Sequence, residues 1–189
     1  MRKFLLLAAV ALLGMTATNA QVKLGFGLGY AFPSGDIADI TDGGLSGNLE
    51  LGYGVTEDID VSLMYQGDFL IGGDVNTAVG QVSYGAVALG SYLVNGRYYF
   101  KKEGFRPYGS LGIGLTNVGS VDIETTGNDV EVVASTSNFA IRPAVGFKYG
   151  VLNVNAAYLN AGKVGDGAAE VSVSDFTLNV GVLFTFGGN

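Results

Sequence analysis

Histidine, cysteine and tryptophan are absent from the 189 residues, and only three prolines occur. Without His or Cys the chain cannot build the usual zinc sites, thiol nucleophiles, disulfide staples or Ser-His-Asp triads. Charge is scarce as well: Asp, Glu, Lys and Arg make up 14%, against roughly 25% in an ordinary soluble domain. Hydrophobic residues reach 48%, so there is too little charge to coat a water-facing surface well. Ten bases oppose 17 acids, for a net charge of -7. The bases are not clustered, which argues against a nucleic-acid partner, since neutralising phosphates takes Lys and Arg in groups.

The first twenty residues have a composition of their own. Arg2 and Lys3 precede an apolar run over residues 4–13, and Thr18-Asn19-Ala20 places small residues before Gln21. That order is expected of a secretory signal peptide at residues 1–20. The run is shorter than the roughly 20 apolar residues a spanning helix needs, and no Cys follows to carry a lipid. Residues 21–189 are then a single exported domain with eight bases and 17 acids.

Within that domain no apolar stripe repeats every 3.6 residues over a helical length. Period-2 alternation instead recurs between clusters of Gly, Asp and Asn. Val22, Leu24, Phe26, Leu28, Tyr30 and Phe32 share one face of the first segment, and Lys23, Gly25, Gly27, Gly29 and Ala31 share the other. The same reading predicts strands over residues 22–32, 45–55, 59–70, 82–100, 106–118, 138–149, 151–161 and 171–186. Short turns alternate with long connections along the chain. The expected fold is all-β, an eight-stranded antiparallel transmembrane up-and-down β-barrel with both termini at the short-turn end. A soluble lipocalin-type barrel would point its bulky face inward. The small face of this chain suits a crowded lumen and would serve badly as a water-exposed surface.

Charge placement sharpens this expectation, because Lys or Arg near the midplane of a lipid face costs about 2–4 kcal/mol. In the register above, Lys23, Arg97, Arg106, Arg142 and Lys148 fall on the lumen side, with Glu50, Asp60, Asp68 and Asp175. The sequence predicts a lumen charge network of Lys23, Glu50, Asp60, Asp68, Arg97, Arg142 and Lys148. Glu50 is expected to pair with Arg142 across the lumen, among Asn48, Asn95, Asn153 and Asn155. Aromatic residues fall near both ends of the apolar faces, as interfacial girdles require. Tyr30, Phe32, Phe69, Phe139, Tyr158 and Phe176 form one set, and Tyr53, Tyr98, Phe100, Phe147, Tyr149, Phe184 and Phe186 form the other.

Several patterns that might carry chemistry are incomplete. Gly25-x-Gly27-x-Gly29 lacks the third glycine at the right offset and the following helix of a dinucleotide loop. Ten loop acids, Asp36, Asp39, Asp42, Asp74, Asp122, Glu124, Asp129, Glu131, Asp166 and Glu170, face one base, Lys163. Such an acidic rim would attract divalent cations or basic partner surfaces. The spacing of Asp36, Asp39 and Asp42 is not that of an EF-hand. No cofactor, no metal and no enzymatic activity are expected.

Asn179-Val180-Gly181-Val182-Leu183-Phe184-Thr185-Phe186 resembles the barrel-assembly signal of outer-membrane proteins. Asn179, Gly181, Phe184 and Phe186 match its polar, glycine, hydrophobic and aromatic positions. Gly187-Gly188-Asn189 is a departure, since that signal usually ends the chain. Arg97-Tyr98-Tyr99-Phe100 and residues 106–114 also resemble strands four and five of the small outer-membrane β-barrel domain family, akin to the OmpA, OmpX and OmpW barrels. The resemblance implies passage through the secretory pathway to the bacterial outer membrane. It also implies periplasmic chaperones and the barrel-assembly machinery as partners, contact with outer-membrane lipid and lipopolysaccharide, and room for an extracellular partner at the acidic loops. Family members serve structural and surface-interaction roles, and some admit small solutes or apolar compounds, so fold alone selects no single activity.

Overall fold

The computed structural model describes residues 21–77, 80–83, 85–122, 131–132, 136–164 and 170–187. The expected signal peptide lies outside them. Eight long strands carry the fold: β1 (Gln21–Ser34), β2 (Thr41–Gly54), β3 (Ile59–Gly72), β4 (Ala86–Tyr99), β5 (Phe105–Asp122), β6 (Thr136–Tyr149), β7 (Leu152–Val164) and β8 (Val171–Phe186). Each pairs antiparallel with its neighbours in the chain. β1 pairs with β8 from Val22–Phe186 to Ser34–Ser174, which closes the barrel. Closure leaves no open edge between these strands, the condition for strands to cross a bilayer.

The strands follow the alternation of the sequence. Leu28, Leu45 and Val145 are 76%, 71% and 66% exposed on the outer face. Lys23, Glu50, Asp60, Asp68, Arg97, Arg142, Lys148 and Asp175 are all buried inside. A one-residue slip in any strand would exchange the two sets, so the charge pattern also locks the register. Gly150 takes φ 58° in the tight turn that joins β6 to β7, a left-handed conformation that costs glycine little.

The fourth strand differs from expectation. It begins at Ala86, and Val82 instead pairs with Val75 in a small hairpin of Asp74–Thr77 and Gly80–Ser83. Alternation alone cannot separate a strand of the barrel wall from a hairpin above it, because both have period 2. A further short strand, Glu131–Val132, pairs with Val121 and Asp122 at the top of β5. Between β1 and β2 the chain makes a single 3-10 turn, Asp36–Asp39, whose Ile37 is buried.

Candidate functional site

Two layers fill the lumen. Nearer the short-turn end, the inward parity of β1, β3 and β4 brings Lys23, Asp60 and Arg97 together. Asp60 and Arg97 are direct ladder partners. Lys23 Nζ lies 2.5 Å from Asp60 Oδ1, and an Arg97 nitrogen lies 3.6 Å from the other Asp60 oxygen. Arg97 also donates from one nitrogen to both oxygens of Glu50, at 2.9 and 2.7 Å. Ser62 Oγ donates to Glu50 at 2.7 Å. Four of the seven predicted network residues therefore form one connected cluster around Arg97.

The expected Glu50–Arg142 pair is not formed. Arg142 donates instead to Gln66 Oε1 at 2.5 Å and to Asn155 Oδ1 at 3.2 Å. Parity told which face each residue occupies, but its height against the opposite wall depends on the strand stagger of the closed barrel. Gln66 relays from Arg142 to Asp68 at 2.7 Å. Lys148 stands apart, donating to Thr185 at 3.2 Å. Of the asparagines, Asn95 meets Ser62 at 3.4 Å, Asn153 accepts from Tyr108 at 2.9 Å, and the Asn48 amide nitrogen has no partner among the described residues.

Sequence reasoning missed Tyr99 and Tyr108, which complete this layer. They are ladder partners on the inward face, with ring centroids 5.6 Å apart and planes at 74°. The Arg97 guanidinium lies 4.7 Å from the Tyr108 centroid, and that of Arg106 lies 3.9 Å from the Tyr99 centroid. Both contacts fall within the range of cation–π attraction. The signal was present: Tyr99 shares the parity of Arg97, and Tyr108 that of Arg106. Arg106 also donates to the carbonyl oxygens of Lys101 and Glu57, tying two of the short turns together beneath the lumen.

Toward the long-loop end the lumen is aliphatic, a second feature that the sequence reading left out. Ala31, Leu70, Val87, Leu89, Leu159 and Val173 pack there with Ile37, which enters from the 3-10 turn. Thr41 Oγ1 donates to the Ile37 carbonyl oxygen at 2.8 Å. Asp36 clasps Ser172, accepting from its amide and its hydroxyl at 2.9 Å each. Those bonds hold the Asp36 carboxyl below its ordinary value, the backbone bond contributing most. The turn is therefore fastened to β8 above the aliphatic cluster.

The rim above is acidic where it is described, and its one base, Lys163, bridges Glu170 at 3.2 Å with both side chains exposed. Glu124, Asp129 and Asp166 lie outside the described residues. No cluster of three or more potential metal-ligating acids occurs among the described residues. At the other end Lys102 and Glu57 meet at 2.5 Å in the short turns, each exposed.

Asn179, Gly181, Phe184 and Phe186 all lie on β8. Asn179 is buried and Phe186 faces outward. Gly181 is the ladder partner of Gly27 at the closing seam. A Cβ on Gly181 would fall closer than 3.0 Å to the Phe26 carbonyl oxygen and the Gly27 Cα.

Residues 4–184 match the family model described as the outer membrane protein beta-barrel domain. The chain belongs to that family. Its place is accordingly the bacterial outer membrane, as an integral β-barrel. No curated protein matches the chain by sequence. Among solved structures, the Neisserial surface protein A barrel is similar at TM-score 0.62 and 18% identity, covering 88% of this chain and 97% of that one. OprG of Pseudomonas aeruginosa is similar at TM-score 0.52 and 14% identity, over 88% of this chain and 96% of its own. Ail, the attachment invasion locus protein of Yersinia pestis, is similar at TM-score 0.51 and 16% identity, over 88% and 99%, in a complex with the heparin analogue sucrose octasulfate. At these identities the likeness shows the barrel fold.

Proposed function

We propose that the protein is a closed, non-enzymatic barrel of the cell envelope whose work is done at its outer surface. The observation that carries this reading is the filled lumen: an ion-paired, aromatic layer below and an aliphatic plug sealed by Ile37 above. The residues Lys23, Glu50, Asp60, Asp68, Arg97, Arg142 and Lys148 then serve as a permanent polar plug. Buried charges need partners, and most of these have them. Residues 1–20 act as the export signal, and Asn179, Gly181, Phe184 and Phe186 as the mark read by the barrel-assembly machinery after chaperone delivery.

The extracellular partner is argued from charge. Ail was crystallised with a polysulfated ligand, whereas the loops of this chain carry ten acids against Lys163. A polyanion would be repelled here, so the rim suits a basic surface or the cations between lipopolysaccharide headgroups. The chain also lacks the His on which general acid–base catalysis most often relies.

A second reading, a narrow channel for small solutes or apolar compounds, rests on the aliphatic upper lumen. Planar-bilayer recording of the refolded protein separates the two. Insertion without current steps supports the closed barrel. Reproducible steps in the wild type would overturn it and favour the passage.

A further inference from the structure

On the outside of the barrel, the lipid-facing side chains of β1 to β5 border a groove of about 680 Å³. One wall is the ladder row Leu24, Leu51, Leu63, Val94 and Ile113. The other is the next outward row, Leu49, Tyr65, Tyr92 and Leu115, whose two tyrosine rings pack with centroids 5.0 Å apart. Strands tilted by about 35–45° carry their ladders obliquely to the membrane, so both rows climb as they cross the wall. Leu24 follows the start of β1 at Gln21 by three residues, whereas Ile113 follows the start of β5 at Phe105 by eight. The groove therefore runs from near the short-turn end up toward the long loops.

At its upper end the lining turns polar. Asn117 lies two residues beyond Leu115 on β5, and its ladder partner Ser137 lies two residues before Phe139 on β6; both border the groove. Asn117 is half-buried and Ser137 exposed, on the outward parity of Leu115 and Phe139. Phe139 belongs to the aromatic girdle of the long-loop end, so an amide and a hydroxyl stand side by side where hydrocarbon gives way to headgroups. A second outer groove, of about 550 Å³ across β5 to β8, has no such end, because the Asn155 and Asn179 that border it are buried on the lumen side.

We propose that this groove seats one acyl chain of lipopolysaccharide, with Asn117 and Ser137 hydrogen-bonding the ester or amide that links the chain to its saccharide. Longer loops are extracellular in barrels of this kind, which puts the polar end in the outer leaflet. Lipid tails offer apolar contact and no hydrogen bonds. A linkage ester or amide accepts from both side chains, and an amide N–H donates to either side-chain oxygen. The choice of lipopolysaccharide over a phospholipid rests on the acidic rim proposed above as a surface for cations. Asp122 and Glu131 are ladder partners at the top of the same β5, a pair of like charges that a divalent cation shared with the saccharide phosphates would offset. The groove lies on the outer wall, so the assignment holds whether or not the lumen conducts.

The test uses the full mature chain refolded in detergent with magnesium. Bound lipid is counted by native mass spectrometry after incubation with purified lipid A, the acylated saccharide anchor of lipopolysaccharide, or with a diacyl phosphatidylethanolamine. The wild type should retain one lipid A, and hold it more tightly than the phospholipid. Asn117→Leu combined with Ser137→Ala should weaken lipid A binding about tenfold, the loss of two hydrogen bonds of ordinary net strength. Val94→Trp, which fills the groove from a lipid-facing position, should weaken it as well. Val180→Trp, in the groove of the far wall, should leave it unchanged. All three substitutions sit on the outer face, and heat-modifiable gel mobility confirms that each variant folds. Lipid A retained equally by both groove variants and the wild type, or lowered as much by Val180→Trp, would overturn the groove as the site. Phospholipid held as tightly as lipid A would overturn the choice of partner.

Discussion

Arg97 is the residue on which the lower lumen depends most. It touches Glu50 and Asp60 at once and lies over Tyr108. Replacing it with Met leaves Glu50 without its cation and Asp60 with Lys23 alone in a buried layer, and breaking a buried pair by removing one partner typically costs about 3–5 kcal/mol. Urea unfolding of Arg97→Met should show a loss of about that size, and Arg97→Met with Glu50→Leu should recover part of it. A loss no larger than that of a surface substitution would remove Arg97 from the centre of the cluster. Asp36 supports a pH prediction. Its carboxyl is held below its ordinary value, so its bonds to Ser172 contribute stability above that value and lose it as pH falls through the lower, folded one. The protection factor of the Ser172 amide, its exchange rate measured against the intrinsic rate at each pH, should fall below about pH 4 in the wild type. In Asp36→Asn it should vary much less with pH. The lumen parity of Arg97 and the loop position of Asp36 were legible in the sequence. Their partners were not, because contacts 47 and 136 residues apart leave no local trace.

At the scale of elements, the ladder between β1 and β8 decides whether the chain closes. Gly181 meets Gly27 there, and the backbone of β1 occupies the space a side chain would need. Gly181→Val should therefore yield little of the heat-modifiable folded band, even when refolded in detergent without any assembly machinery. Normal refolding of that variant in vitro would confine the role of Gly181 to recognition in the cell. Seven of the eight strands were legible to within a few residues of their ends, since one lipid-facing side chain in every two is a strong signal. The lower boundary of β4 was equally clear. Its upper boundary was not, because residues 74–83 alternate like the wall while forming a hairpin of their own.

For the whole molecule, closure turns eight locally marginal strands into one object with a lipid-covered exterior and a filled interior. A chain stabilised in this way should insert into a planar bilayer as a silent barrel. The sequence by itself determined the strand count, the face each residue presents and the acidic character of the rim. It could do so because a period of two and the cost of charge in lipid act residue by residue. Only the tertiary structure decided that Glu50 meets Arg97 instead of Arg142, and that Ile37 packs into the aliphatic upper lumen. Those outcomes depend on strand stagger and loop placement, which set the heights at which opposite walls meet.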